Sequence, residues 1–462
     1  MNKQKIANFF KSPILYILLA ALLFRLYFFI NHGVAWWDAS AYIGMGKQIF
    51  SGGLYGVNVN FRPLLLPLIL GFAWKIGINP LVFGMVFDLA LNLASIYLAY
   101  IIAKKIINRR AGWIAAILMA ISPALIFYSS RVLTENIAVF LTLLCIYFIL
   151  EKKYFSAGIS AGICVWARYP QALLLPAILV FILFIEQNYR IKIRLMKSLK
   201  ALVGFAVPVS MLALYNLAAF GNAFYQLSEA QNVIAKAGSI IPSPWFFYFG
   251  AVIAECFFAV LIFYSAWLSA KEGKKETWLL YIIFAVFFIY YSTVARKEIR
   301  YLMVALPALY IPVAHALENL YFRRISGKHA AKYIVIALIA LMAVFSFFSM
   351  KSMNSDFYRP ENPDAMKNFY NSGLVNGKTA ISSSPVPIAY NDLKLEVMDQ
   401  EKYYSYVNAT SDYYMFYTCD FYCTTQDCLK TKNTFLNIIS KTKKLAYEKE
   451  LEGCSYLLYE NH

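Results

Sequence analysis

A succession of apolar runs, separated by short clusters of lysine and arginine, fills the first 350 residues, and this alternation constrains the fold more than any other feature. The runs lie at 12–31, 63–78, 79–103, 111–129, 132–150, 154–168, 170–186, 199–220, 244–269, 277–294, 301–319 and 331–350. A bilayer core about 30 Å thick takes roughly 20 apolar residues per crossing helix, so a chain built this way is an all-α polytopic membrane protein. With 60% hydrophobic and 17% aromatic residues, the composition is far from that of a soluble enzyme. The formal charge of +18 does not indicate nucleic acid as a partner. Residues 1–350 carry 31 Lys+Arg against 11 Asp+Glu, and residues 351–462 carry 12 against 14, so the excess sits in membrane loops.

Lysine and arginine accumulate on the cytoplasmic side of membranes, and here they cluster at 3–11, 104–110, 152–153, 190–200, 271–275 and 323–332. Two clusters on one side need an even number of crossings between them. Three runs separate Lys11 from Lys104, so one of them does not cross. The weakest spanner is PLLLPLILGFAWKIGI, residues 63–78, which reads as an interfacial or re-entrant helix. Eleven spans follow, with the N-terminus cytoplasmic and the C-terminal part extracytoplasmic. The count places 21 Lys/Arg inside, 9 outside and Arg25 within the first span. That first span follows Lys3, Lys5 and Lys11, lacks an A-x-A-like cleavage site and reads as uncleaved. The same parity requires both 154–168 and 170–186 to cross, turning at Arg168-Tyr169-Pro170.

Residues 351–462 read as a small extracytoplasmic α/β domain after a transmembrane domain of residues 1–350. Asn362-Pro363 fits a helix start and Gly373 its end. Strands are expected at 378–383, 394–398, 412–418 and 454–459, with a helix near 432–443. Cys419, Cys423, Cys428 and Cys454 are disulfide candidates if the tail is extracytoplasmic, with three pairings open if all four join, and a zinc site is the rival. Cys145, Cys164 and Cys256 fall in apolar runs and read as small buried hydrophobes. Asn408-Ala409-Thr410 is a glycosylation sequon.

Ionisable residues near a bilayer are costly and commonly functional. On this topology Asp38, Arg62, Arg131, Glu135, Arg168, Glu229, Arg296, Lys297, Glu298 and Arg300 share the outer rim. Asp38 opens a stretch in which Tyr42, Met45 and Ile49 recur at helical spacing, so it serves either as a helix N-cap or as a carboxylate able to take a proton from an acceptor hydroxyl. Arg62-Pro63 opens the re-entrant stretch. Arg131 and Glu135 are four apart, which places them on one helix face as an ion pair closing the helix end, or in a site. ARKEIRYL, 295–302, puts three cations in five residues, which suits an anionic phosphate as well as a solvated loop. Asp88 and Glu255 lie mid-span and read as buried helix-to-helix hydrogen-bonding groups, with a proton path as the alternative. His32, His315, His329 and His462 are scattered, and a metal-ligand role for His32 is the lesser reading.

Taken in order, the D-x-x-x-Y of Asp38 and Tyr42, Arg62-Pro-Leu64, SRVLTEN (Ser130 to Asn136) and RKEIRYLMVALPAL (Arg296 to Leu309) resemble the GT-C superfamily of polyprenyl-phosphate-dependent membrane glycosyltransferases. The likeness is to the protein O-mannosyltransferase and lipid A aminoarabinose transferase branch and covers about residues 10–350. ARKEIRYL is also similar to the HKExRF motif of lipid-linked mannosyltransferases, with Ala295 and Arg296 where histidine would stand and Tyr301 for phenylalanine.

The resemblance implies an inverting transferase. It would move a sugar, a hexose such as mannose, from a polyprenyl- or dolichyl-phosphate donor to a hydroxyl of a protein, lipid or glycan on the outer side of the cell membrane. Asp38 would be the catalytic carboxylate and Arg62, Arg131, Arg296 and Arg300 the grip on the donor phosphate, supported by Tyr42, Glu135, Arg168, Lys297, Glu298 and Tyr301. Many relatives carry Asp-Glu in the first outer loop; Ala39 follows Asp38 here, so no metal or other cofactor is expected. A transporter or flippase of a lipid-linked sugar is the alternative. Transporters place their sites near the midplane of paired repeats, whereas no repeat is visible here and the ionisable residues gather on one face. A non-catalytic assembly subunit is a third possibility, which Asp38→Asn would separate from an enzyme.

Overall fold

The computed structural model describes residues 12–30, 35–186, 190–240, 243–322, 330–357, 377–398, 406, 409–418, 426–451 and 454–461. The chain is a mostly helical membrane protein with a small C-terminal sheet domain, as its apolar runs require. It divides into two compact units: residues 1–30 with 87–354, and residues 31–86 with 355–462.

The first unit is a helical bundle. Pro13–Ile30, Pro80–Ile106, Ile191–Phe220, Ile299–Phe322 and Lys332–Met350 are long and apolar enough to cross a membrane. Other expected spans are built from shorter pieces. Run 111–129 breaks after the Arg109–Ala120 helix, because Pro123 starts a separate helix, Pro123–Phe127. Run 244–269 divides into Phe247–Glu255 and Leu261–Lys271. The turn expected at Arg168 is present: the Tyr154–Ala167 helix ends there and a 3₁₀ turn, Tyr169–Leu173, follows. Tyr154–Ala167 packs closely on Ile191–Phe220, and a Cβ on Gly158 would stand 2.1 Å from the Ala201 carbonyl oxygen, while one on Gly204 would stand 2.2 Å from that of Phe155. Small residues give helices in lipid this approach. Cys145, Cys164 and Cys256 are buried free thiols.

The second unit is organised by a six-stranded sheet: β1 (Gly56–Val57), β2 (Thr379–Ser382), β3 (Lys394–Val397), β4 (Tyr413–Tyr417), β5 (Lys444–Leu451) and β6 (Cys454–Glu460), in the order β1-β3-β2-β4-β6-β5. The first three pairings are parallel and the last two antiparallel. Strands β2, β3, β4 and β6 fall where the alternation of the sequence puts them. Strand β5 reads as charged (KLAYEKEL), and as the edge strand beside β6 it is protected from edge-to-edge pairing by that charge. Strand β1 comes from the loop between the first two apolar runs, so this loop, which the sequence reading grouped with the membrane part, packs with the C-terminal residues. Both sheet faces are covered. Val57, Ile388, Leu395, Met415 and Leu458 lie on one side; Ile381, Phe416 and Leu457 lie on the other, under Phe435 and Ile439 of the Gln426–Thr442 helix.

In the same unit, the Trp37–Phe50 helix packs on a Leu65–Lys75 helix. A Cβ on Gly46 would lie 2.5 Å from the Pro67 carbonyl oxygen, and one on Gly71 2.5 Å from that of Gly46, so both glycines are required by the approach. At a rise of 1.5 Å per residue the Leu65–Lys75 helix is about 16 Å long, shorter than a bilayer core. The helix expected from Pro363 to Gly373, the sequon at Asn408, and His32, His329 and His462 lie outside the described residues, as do the side chains of Cys419, Cys423, Cys428 and Cys454.

Candidate active site

The bundle gathers one charged cluster at the end of an interrupted segment. Between Arg109–Ala120 and the Thr134–Leu150 helix the backbone leaves regular helix geometry, and Val132 takes a φ of 57°, a costly value for a β-branched residue. Non-helical backbone at membrane depth is tolerated only where protein satisfies it. Buried side chains do so here. Arg25, fully buried, donates to the carbonyls of Met119 (3.3 Å) and Ala120 (3.0 Å) and through Nε to Asn92 Oδ1 (2.6 Å). Glu255 accepts from Ser122 Oγ (2.8 Å), the Ala124 amide (2.9 Å) and the Tyr310 hydroxyl (3.1 Å). Asn92 Nδ2 donates to Leu125 O (2.9 Å), Asn136 Nδ2 to Tyr128 O (2.8 Å), and Asp88 accepts from the Leu133 amide (3.1 Å). Asp88 and Glu255 are thus engaged in holding one segment against another, the first of their two sequence readings.

This brace leads into the first turn of Thr134–Leu150, where Glu135 is 4% exposed. Its Oε1 forms an ion pair with Arg168 Nη1 and lies 3.9 Å from Arg300 Nε. Arg300 Nε also donates to Glu298 Oε2 (2.5 Å), whose other oxygen pairs with Arg296 Nη2 (2.9 Å). The Tyr301 ring lies 5.3 Å from the Arg168 guanidinium and 5.6 Å from that of Arg300, and stacks on Tyr291 at 5.9 Å. Burial opposes the charge of Arg168, and the Glu135 carboxylate is the partner that compensates it. Residues 135, 168 and 296–301, far apart in sequence, therefore meet.

Two expectations are modified. Arg131 does not share a helix face with Glu135, because the helix begins at Thr134 after the turn at Val132; Arg131 instead packs over Phe127 (4.7 Å) and its Nε reaches the Phe127 carbonyl (3.4 Å). Lys297 is 8% exposed and holds the loop at Ser243, donating from Nζ to its carbonyl (3.2 Å). Tyr248, which the sequence does not single out, donates to the Glu298 carbonyl (3.1 Å); Asn92 is likewise not singled out, and Asn136, which it bonds, appears only as the end of the SRVLTEN motif. Polar residues inside apolar runs were the available signal. His315 lies elsewhere in the bundle, its Nδ1 3.3 Å from Ser265 Oγ and its Nε2 3.3 Å from Glu272 Oε2.

The second unit holds a separate pair. Trp36 is the N-cap of Trp37–Phe50, so Asp38 is not the cap but sits in the first turn, where the helix dipole favours a carboxylate. Its Oδ1 accepts from Arg62 Nη2 at 2.6 Å. Tyr42, one turn on, presents its ring 5.1 Å from the Arg62 guanidinium, and the Phe61 ring lies 5.3 Å away. Burial again opposes the Arg62 charge, and the charge of Asp38 leads the effects that raise its pKa nonetheless. Asp38, Tyr42 and Arg62 thus stand together, with Arg62 bound to the carboxylate rather than held apart from it. Among the described residues no three His, Cys, Asp or Glu side chains converge as metal ligands would.

A family profile described as dolichyl-phosphate-mannose-protein mannosyltransferase matches residues 61–215. The fold is similar to that of ArnT from Cupriavidus metallidurans bound to undecaprenyl phosphate, with a TM-score of 0.66 over 100% of this chain and 99% of that one at 11% identity. It is also similar to the oligosaccharyltransferase AglB from Archaeoglobus fulgidus in complex with an inhibitory peptide and a dolichol-phosphate, with a TM-score of 0.57 over 98% of this chain and 75% of that one at 15% identity. The mycobacterial arabinofuranosyltransferase AftD gives 0.59 over 97% of this chain and 39% of that one at 11% identity. No curated protein sequence matches. Over nearly its whole length the chain therefore shares the fold of these three proteins.

Proposed function

We propose that this protein is a glycosyltransferase that moves a sugar from a polyprenyl-phosphate donor to a hydroxyl acceptor, with inversion at the anomeric carbon. The observation that carries the reading is the bundle cluster, where three arginines, Arg168, Arg296 and Arg300, surround two glutamates, Glu135 and Glu298. One guanidinium is in excess, and a sugar–phosphodiester, with its single negative charge, balances it.

Each charged group takes one task. In the bundle, Arg300 and Arg168 hold the donor phosphate, with Arg296 and Tyr301 supporting them. In the second unit, Asp38 is the base, and Arg62 orients it. In the reaction the acceptor hydroxyl oxygen forms a bond to the anomeric carbon as the bond from that carbon to the phosphate oxygen breaks. The bonding pair leaves with the polyprenyl phosphate, and the hydroxyl proton passes to the Asp38 carboxylate. A phosphate is already a good leaving group, so no strong acid is required at the breaking bond. What is required is a base, which contributes about 10²–10⁴-fold, and fixed positive charge where the phosphate gains its second negative charge.

Mannose is the favoured sugar, since the matching profile is described by that sugar. The basic loops favour a cytoplasmic N-terminus and chemistry on the outer side. The single carboxylate at Asp38-Ala39 favours a reaction without a bound metal. The test is to incubate purified protein with radiolabelled polyprenyl-phosphate sugars and membrane extract. Transfer of label from one donor to a protein, lipid or glycan, abolished in Asp38→Asn, is expected; movement of intact donor between leaflets without transfer would instead make the protein a flippase.

A further inference from the structure

The helix that carries Asp38 in its first turn carries Lys47 in its last, and Lys47 is 3% exposed. Its ammonium group has three hydrogens and meets three acceptors: the carbonyls of Ile388 (2.9 Å) and Asn391 (2.9 Å) and Asp392 Oδ1 (2.8 Å). Asp392 Oδ1 also accepts from Trp74 Nε1 (2.9 Å), so the Leu65–Lys75 helix is tied to the same point.

Where these acceptors lie is informative. The 3₁₀ turn Val386–Ala389 follows β2, which stands between β3 and β4 in the parallel part of the sheet. The carboxyl ends of parallel strands at such a reversal of strand order are where open α/β sheets receive a ligand. Here the protein's own helix packs on the turn that follows β2. Gly44 approaches so closely that a Cβ would stand 2.4 Å from Val57 Cγ1 and 3.1 Å from Ile388 Cγ2. A buried ammonium is a costly way to hold a helix, since apolar packing of the same volume is often as stable. What it adds over apolar packing is a fixed axial position and rotation.

We infer that Lys47 is a positioning residue for the Asp38 carboxylate: by anchoring the last turn of the helix to the turn after β2, it sets where the first turn presents Asp38 to Arg62. The inference rests on Asp38 acting as the base. A misplacement of about 1 Å costs on the order of 10²-fold in rate, so the C-terminal sheet acts on the chemistry without touching substrate.

The experiment uses full-length protein in detergent. The variants are Lys47→Met, Lys47→Arg, Asp392→Asn and Asp38→Asn, and the readouts are kcat per donor-binding molecule, donor KM and melting temperature. Lys47→Met is expected to lower kcat at least tenfold with donor KM within twofold, Lys47→Arg to recover most of the loss, and Asp392→Asn, at a half-exposed position, to lower kcat two- to fivefold in a folded protein. Should Lys47→Met fail to fold, the Asp392→Asn kcat decides. Wild-type kcat per binding-competent molecule in either variant, with only the melting temperature lowered, would reduce the clamp to a structural role and overturn the inference while leaving the Asp38 assignment standing. Wild-type transfer by Asp38→Asn would remove both.

Discussion

The Glu135 cluster of the bundle and the Asp38–Arg62 pair of the second unit are built on opposite principles. In the bundle, Arg168, Arg296 and Arg300 outnumber Glu135 and Glu298, and all are presented at breaks between apolar helices. In the second unit, one carboxylate, Asp38, meets one guanidinium, Arg62, on a helix seated on a sheet. The first group carries one positive charge in excess, and the second is balanced. Their supports differ in the same way. Buried side chains such as Arg25, Asp88 and Glu255 hold an interrupted backbone that has no water to satisfy it, whereas backbone carbonyls of a turn hold Lys47. A helical bundle and a sheet thus fix their charged groups with different devices.

The contrast can be broken most severely in the bundle. Glu135→Ala removes the partner of a buried guanidinium and is expected to cost about 3–5 kcal/mol of stability, read as a large drop in melting temperature in detergent; a drop of a degree or less would show that Arg168 does not depend on it. Arg300→Ala should weaken donor binding by about 1.5–3 kcal/mol, as for a hydrogen bond to a charged group. Isothermal titration with the polyprenyl-phosphate product measures this, and unchanged affinity would take the phosphate grip away from this cluster. In the second unit Gly46→Leu forces the Trp37–Phe50 and Leu65–Lys75 helices apart and should cost about 1–3 kcal/mol, lowering kcat and leaving product affinity within twofold. A parallel loss of affinity would contradict the division of tasks.

The smallest effect concerns Asp412 in the sheet. Its Oδ2 accepts from the amide and hydroxyl of Thr379 at 2.8 Å each, which hold the carboxyl below its ordinary value. A lowered carboxyl value stabilises the fold above the unfolded value, about 4, and that contribution is lost as pH falls through the folded value. Asp412→Ala should therefore melt slightly lower than wild type at pH 7, solvent screening keeping the effect small, with the difference shrinking in acid. A difference that persists below that range would assign it to packing.

Much of this was legible in the sequence because a membrane leaves few options. Long apolar runs between basic clusters could only be helices, and the short helix within residues 63–78 followed from their apolar pattern and prolines. The alternation of β2, β3, β4 and β6 was visible because each buries one or both faces. Strand β5 was not, since its pairing with β6 overrides a charged sequence. The two-residue β1 carries no periodicity at all. At the site, residue types and spacing singled out Asp38, Arg62, Glu135, Arg168 and Arg300, but pairings depend on backbone breaks that spacing does not show. Arg131 and Glu135 are four apart, yet the left-handed turn at Val132 removes Arg131 from the helix, and Arg168 takes the place it was expected to hold. Lys47 was read only as part of a helix because its acceptors are more than three hundred residues away in the chain.

The central claim is that Asp38 takes the acceptor proton while the bundle cluster holds the donor. Single-turnover sugar transfer by Asp38→Asn, measured beside its affinity for the polyprenyl-phosphate product, tests both halves at once. The account predicts a rate at least about 10²-fold below wild type with affinity within twofold. Transfer at the wild-type rate would contradict it.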